Sequence, residues 1–151
     1  MPAACGLLQL LAAGMTGIFA GAMLTEGFTA VPYWRSLPAE EFFAWYAAND
    51  SRLLAYFRPL TVVTALVALA SAVASWLAGD PGFVHAAASL ALLLAAVAMF
   101  FVYFEAANRS FSDASAELPA ELDRWAKWHA ARTLLGLLAL GFALAALPHG
   151  S

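Results

Sequence analysis

Four apolar segments, 6–25, 60–77, 84–104 and 128–147, leave this chain few folds to adopt. Each is close to the roughly 20 residues that a helix needs to cross the hydrocarbon core of a bilayer. Inside hydrocarbon every backbone N–H and C=O must be satisfied within the protein, so a spanning segment of this kind is expected to be a helix. The chain carries only 11% charged residues, against about a quarter in a soluble domain. Lipid is therefore the expected solvent. The second and third segments are joined by the short "AGDPGF" stretch, residues 78–83, whose Asp-Pro-Gly core stops a helix sharply. An all-α, up-down-up-down integral membrane four-helix bundle is expected, with residues 1–151 as one domain.

The placement of charge orients that bundle. All seven basic residues (Arg35, Arg52, Arg58, Arg109, Arg124, Lys127 and Arg132) fall on the side of the two long connections. The side holding both termini and the short turn has none. By the positive-inside rule the connections are cytoplasmic and the termini extracytoplasmic, as in a bacterial inner membrane. No Lys or Arg precedes the first segment and no small-residue cleavage site follows it before Glu26, so it reads as a retained helix. Cys5 stands alone, which excludes an intramolecular disulfide and a multi-cysteine metal cluster.

Two stretches echo each other, "LPAEEFFAWYAANDSR" at 37–52 and "LPAELDRWAKWHAAR" at 118–132. Each looks like a helix start, with Pro in the first turn and Glu close behind at the positive end of the dipole. The second is expected to run unbroken into the fourth span. The first is expected to break at Asn49-Asp50-Ser51, with a kink at Pro59. Trp34, Trp45, Trp125, Trp128, Tyr46 and Tyr56 are expected to form an interfacial aromatic belt. "GIFAG" at 17–21 offers a small-xxx-small face for close helix packing.

The polar residues near the cytoplasmic ends of the spans ask for an explanation. Glu26 ends the first span, Glu105 the third, and His129 and Arg132 begin the fourth, with Arg58 just before the second. Asn108 follows Glu105 by one turn, and Trp125, His129 and Arg132 share a helical face. Alternating helix direction brings all of them to one level. Ionisable groups at that depth pair with one another, line a cavity or do chemistry. Two carboxylates and an imidazole are the ligand types for one divalent metal ion, and they are equally an acid–base set. Glu105 lacks the Glu-x-x-His spacing of two-iron bundles, because Asn108 occupies that offset. A simple salt-bridge network among Glu26, Glu105, Arg58 and Arg132 explains the same residues without any site. Asp80, His85 and His149 on the other side are read as solvated rather than as metal ligands. One histidine in the main cluster gives little support to haem. No phosphate loop, nucleophile elbow or basic stripe is present, so nucleotide and nucleic-acid functions are not indicated.

The two halves align at nearly one offset, Glu26 with Glu105, Trp45 with Trp125, Asn49 with His129 and Arg52 with Arg132. Both halves run out-to-in and return, which is the geometry of a parallel internal repeat of two helix hairpins. "GIFAG" followed by "VPYWRSLPAEEFFAWYAAND", together with "RWAKWHAARTLLGLL", resembles the anthrone-oxygenase-like family of small four-helix membrane proteins. The W-x-x-W-N-x-x-R-T signature of that family is matched by Trp125, Trp128, Arg132 and Thr133. His129 stands where the family has asparagine, "FEAANRSF" keeps only Asn108 of an N-V-P-L-N element, and Glu26 is not a family feature.

The resemblance implies oxygenation of an aromatic polyketide anthrone, and the changes toward Glu26, Glu105 and His129 point to a metal-dependent variant. The expected function is a membrane oxidoreductase, an oxygenase of a lipophilic or aromatic substrate. Glu26, Glu105, His129 and Arg132 would be catalytic, the first three also binding metal. Arg58, Asn108, Trp125 and Trp128 would contact substrate. The alternative is a non-enzymatic bundle that binds a small lipophile such as a quinone, or assists a partner protein, in which case the polar cluster is closed.

Overall fold

The structure, a computed structural model, describes residues 2–148. Each expected span belongs to a helical rod that continues beyond it at the basic end. In the first rod α1 (Pro2–Thr25) passes through a π-helical turn (Glu26–Ala30) into α2 (Val31–Ser36). The second rod is α3 (Ala39–Leu77). The third runs from α4 (Phe83–Met99) through a second π-helical turn (Phe100–Phe104) into α5 (Glu105–Ser112), and the fourth is α6 (Ala120–Ala145). All four are long and apolar enough to cross a membrane. The packed pairs are α1–α3, α3–α4, α4–α6 and α6–α1, so the rods form a closed four-helix ring. Leu10, Ile18, Leu66, Val73, Leu94, Leu134 and Leu138 point outward, as a bundle solvated by lipid requires.

The expected break at Asn49-Asp50-Ser51 does not occur. α3 is continuous for 39 residues, a length of about 58 Å. Asn49 turns its Nδ2 back to the carbonyl of Trp45 at 2.8 Å, and Asp50 accepts a 2.8 Å hydrogen bond from Ser112 on α5. Side chains that would cap a new helix are instead used along and across the old one. Pro59 lies inside α3, on its exposed surface.

Close helix approach comes from small residues, though not from the ones expected. Gly21 has nothing near its missing side chain and Gly17 touches only Leu140. The tight contact is at Gly136 on α6, where a Cβ would stand 3.1 Å from the Phe19 ring. Buried Ala20, Ala68, Ala96, Ala139 and Ala143 continue this pattern through the ring.

At the turn end, α3 stops in a Schellman arrangement. Gly79 takes φ +62, Asp80 N–H bonds Ser75 O at 2.9 Å and Gly79 N–H bonds Trp76 O at 3.1 Å. Asp80 then accepts from Gly82 N–H at 2.7 Å and from Gln9 Nε2 at 3.3 Å, so the carboxylate locks the turn to α1. Gly82 has no room for a side chain. An added Cβ would lie 2.5 Å from Ala146 O and 2.8 Å from Asp80 Oδ1. The carbonyl belongs to the end of α6 and cannot rotate away. Gly82→Ala is expected to cost about 1–3 kcal/mol, whereas Gly21→Ala, with open space around it, should not destabilise. Denaturant titrations of both variants in mild detergent check this pair.

The rods extend past the apolar layer at the basic end, and the extensions build a second core. Trp34, Phe42, Tyr46, Phe104, Phe111, Leu122 and Trp125 are buried together there. This overturns part of the expected interfacial belt. Tyr56 is exposed and Trp45 and Trp128 are half-buried, but Trp34, Tyr46 and Trp125 face inward. Their rings meet edge to face, Trp34 with Trp125 at 5.3 Å and with Tyr46 at 5.8 Å. A separate apolar layer of Phe19, Met23, Leu93 and Ala139 lies on the turn side. Between these two layers sits the charged cluster.

Candidate functional site

Glu26 and His129 come from different rods and meet in the bundle interior. Glu26 opens the π-helical turn of the first rod and is 8% exposed. His129 lies in the third turn of α6, buried at 2%. The Nδ1 atom of His129 is 3.5 Å from Glu26 Oε2. Arg132 Nη2 lies 3.5 Å from the same carboxylate oxygen and 3.2 Å from His129 Nδ1. The spacing of three between His129 and Arg132 places both side chains on the inner face of α6.

The hydrogen bonds assign the imidazole tautomer. His129 Nε2 is 2.9 Å from Met23 O, and a carbonyl can only accept, so Nε2 carries the proton. Nδ1 then accepts from the Arg132 guanidinium. The ring stacks on Trp125 at 5.0 Å with planes 7° apart, and Trp125 Nε1 donates to Asn108 Oδ1 at 2.9 Å. The Arg132 guanidinium sits 4.1 Å over the Phe104 ring, a cation–π contact strengthened by burial. Asn108, Trp125, His129 and Arg132 therefore form one oriented chain of contacts that ends on Glu26.

The pairing is incomplete. Glu26 Oε2 and Arg132 Nε are buried without a hydrogen-bond partner, and so is Trp34 Nε1. A charge-assisted N–H···O bond normally closes to 2.7–2.9 Å. At 3.5 Å the carboxylate and guanidinium neutralise each other's charge without forming that bond.

Several expected members lie elsewhere. Glu105 follows the inward-facing Phe104 by one residue, about 100° around the helix. Its side chain is half exposed and pairs with Arg109 at 3.5 Å. Arg58 is exposed on α3, outside the cluster. Trp128 is half-buried and stacks on Tyr103 at 4.9 Å, away from Glu26. Arg52, the counterpart of Arg132 in the repeat, is also exposed. The halves share a hairpin with a π-helical turn in its first arm, but the charged cluster belongs to the π-helical turn of the first rod and α6 alone.

The metal set expected from Glu26, Glu105 and His129 is not assembled. Among the described residues no three His, Cys, Asp or Glu side chains are close enough to hold an ion. Both ring nitrogens of His129 are already engaged, one by a carbonyl and one by a cation. On the other side, His85 is exposed with its ring near Phe142, Asp80 serves the turn, and His149 lies outside the described residues.

His129, although buried, forms part of the wall of a groove. This groove of about 320 Å³ runs between residues 23–35 of the first rod and 126–137 of α6, within the size range of small-ligand sites. Met23, Gly27, Val31, His129, Thr133 and Leu137 are among its walls. A Cβ on Gly27 would stand 3.4 Å from both Cδ2 and Nε2 of His129. Glycine at this position lets the first rod pack close against that imidazole edge. The groove opens sideways between helices, while Trp34, Tyr46, Phe104 and Trp125 close the basic end above the cluster.

Sequence reasoning missed both π-helical turns, Gly27, Met23 and Phe104. The turns leave no composition signal, although such turns often mark functional positions. The chain matches no protein-family model, no curated protein and no solved structure.

Proposed function

We propose that the chain is an integral membrane protein, basic end in the cytoplasm, that takes a small lipophilic molecule from the bilayer into the lateral groove. A polar group of that molecule would rest against the Cδ2–Nε2 edge of His129. The observation that carries this reading is the pairing of Gly27 with His129 at the groove wall. A large residue at 27 would fill the groove beside the imidazole. Burial above and below by aromatic and apolar layers supports lateral access, since a lipophile reaches the cluster most directly from lipid.

Glu26 and Arg132 stand behind His129 on its Nδ1 side. With Nε2 donating to Met23 O and Nδ1 accepting from Arg132, the imidazole is held in one tautomer and orientation, and proton transfer to a ligand would require the Met23 hydrogen bond to be exchanged. The family resemblance adds an oxygenase of a lipophilic aromatic substrate as the catalytic form of this proposal. Simple binding of a quinone-like molecule needs the same groove and no chemistry.

Gly27→Leu is the direct test. In lipid nanodiscs the variant should fold, because its side chain enters the groove rather than the core, and should bind a quinone or an anthrone at least about tenfold more weakly. Unchanged binding of both probes would remove the groove from the function.

A further inference from the structure

The groove has a chemical polarity along its length. Residues 23 to 35 cover roughly 18 Å along the first rod, slightly more than one leaflet of a hydrocarbon core about 30 Å thick. Its deep walls are Met23, Leu134 and Leu137, and its outer end carries Arg35, the one charged side chain in the lining among the described residues. Arg35 is held by Asp123 of α6 at 2.7 Å. Both side chains are about half exposed, at 48% and 57%. An exposed ion pair of this kind contributes little to stability, typically 0–1 kcal/mol. It is therefore an exchangeable partner, and a carboxylate offers arginine the same two-pronged geometry that Asp123 offers.

Resting on the groove reading above, we propose that the occupant is a single-chain amphiphile with a carboxylate head, lying tail-inward along the groove and pairing with Arg35 in place of Asp123. The volume suits one chain rather than the two of a phospholipid. His129 lies six residues below Asp123 on α6, roughly 9 Å deeper, so a second polar group part-way along the ligand would meet its imidazole edge.

The test uses the protein in nanodiscs of zwitterionic phosphatidylcholine, with bound species read by native mass spectrometry. Palmitic acid, methyl palmitate and phosphatidylglycerol are the probes. Arg35→Gln is expected to weaken palmitate binding about tenfold and leave the methyl ester unchanged. Asp123→Asn, which frees the guanidinium, is expected to tighten palmitate binding by about threefold. Gly27→Leu should exclude both acid and ester. If palmitate ignores the Arg35 and Asp123 variants but is still excluded by Gly27→Leu, the head assignment is overturned and the groove reading survives. Palmitate binding that survives Gly27→Leu overturns both. Phosphatidylglycerol that displaces palmitate with the same Arg35 dependence overturns the proposal in favour of a bilayer lipid.

Discussion

Arg132→Met is expected to destabilise the bundle by about 3–5 kcal/mol, the range found when one member of a buried ion pair is removed. Three contacts go at once: the charge opposite Glu26, the donor to His129 Nδ1 and the cation over Phe104. Methionine restores most of the volume and keeps contact with the ring, so the loss reports charge and hydrogen bonding rather than a cavity. The variant leaves Glu26 buried with no cation beside it. Glu26→Gln in the same chain removes the unpaired charge, and its amide can donate to His129 Nδ1. The double variant is therefore expected to recover about 2 kcal/mol or more of the loss, a coupling typical of residues in one network. Equilibrium unfolding in detergent mixtures measures all four corners of the cycle. A single variant within about 1 kcal/mol of the parent would show that Glu26 does not depend on Arg132.

That dependence was partly legible in the sequence. Spacing alone brought Trp125, His129 and Arg132 to one face of α6, and alternating helix direction brought Glu26 to their level. Glu105 was misplaced for a related reason. Span boundaries give depth but not the angle around a helix, and one residue past Phe104 is enough to turn a side chain outward. The aromatic residues failed differently. Composition marked Trp34, Tyr46 and Trp125 as interfacial, because nothing local says that α2, α5 and the two long helices continue beyond the lipid and pack on one another. Asp50 shows the same limit. Its capping potential was real, but a partner 62 residues away, Ser112, took the carboxylate instead. The four rods and the "AGDPGF" turn, in contrast, depend on local hydrophobicity and turn chemistry, and these were readable. Gly27 was not. A glycine inside an apolar helix acquires meaning only when the opposing residue, His129, is known.

Trp34→Ala is expected to be the most disruptive change in the aromatic core at the basic end, at about 3–5 kcal/mol. Trp34 is 1% exposed and contacts Phe42, Trp45, Tyr46 and Trp125 within 6.1 Å between ring centroids. Through Trp125 it also backs the ring of His129. Truncation should therefore loosen α2 from α6 and let water reach Glu26 from the basic end. Faster hydrogen–deuterium exchange across residues 120–132 is the expected sign. Trp34→Phe separates packing from polarity. The indole Nε1 is buried without a partner, and an unsatisfied donor of this kind costs about 1–3 kcal/mol. Phenylalanine removes that cost while retaining an aromatic ring, so its net effect should lie within about 1 kcal/mol of the parent. If Trp34→Phe proves as damaging as Trp34→Ala, the indole N–H must be bonded, and a water inside the cluster is the natural acceptor. Trp34 is not in the groove wall, so Trp34→Phe should leave lateral ligand binding intact, which separates a lid over the cluster from the opening beside it.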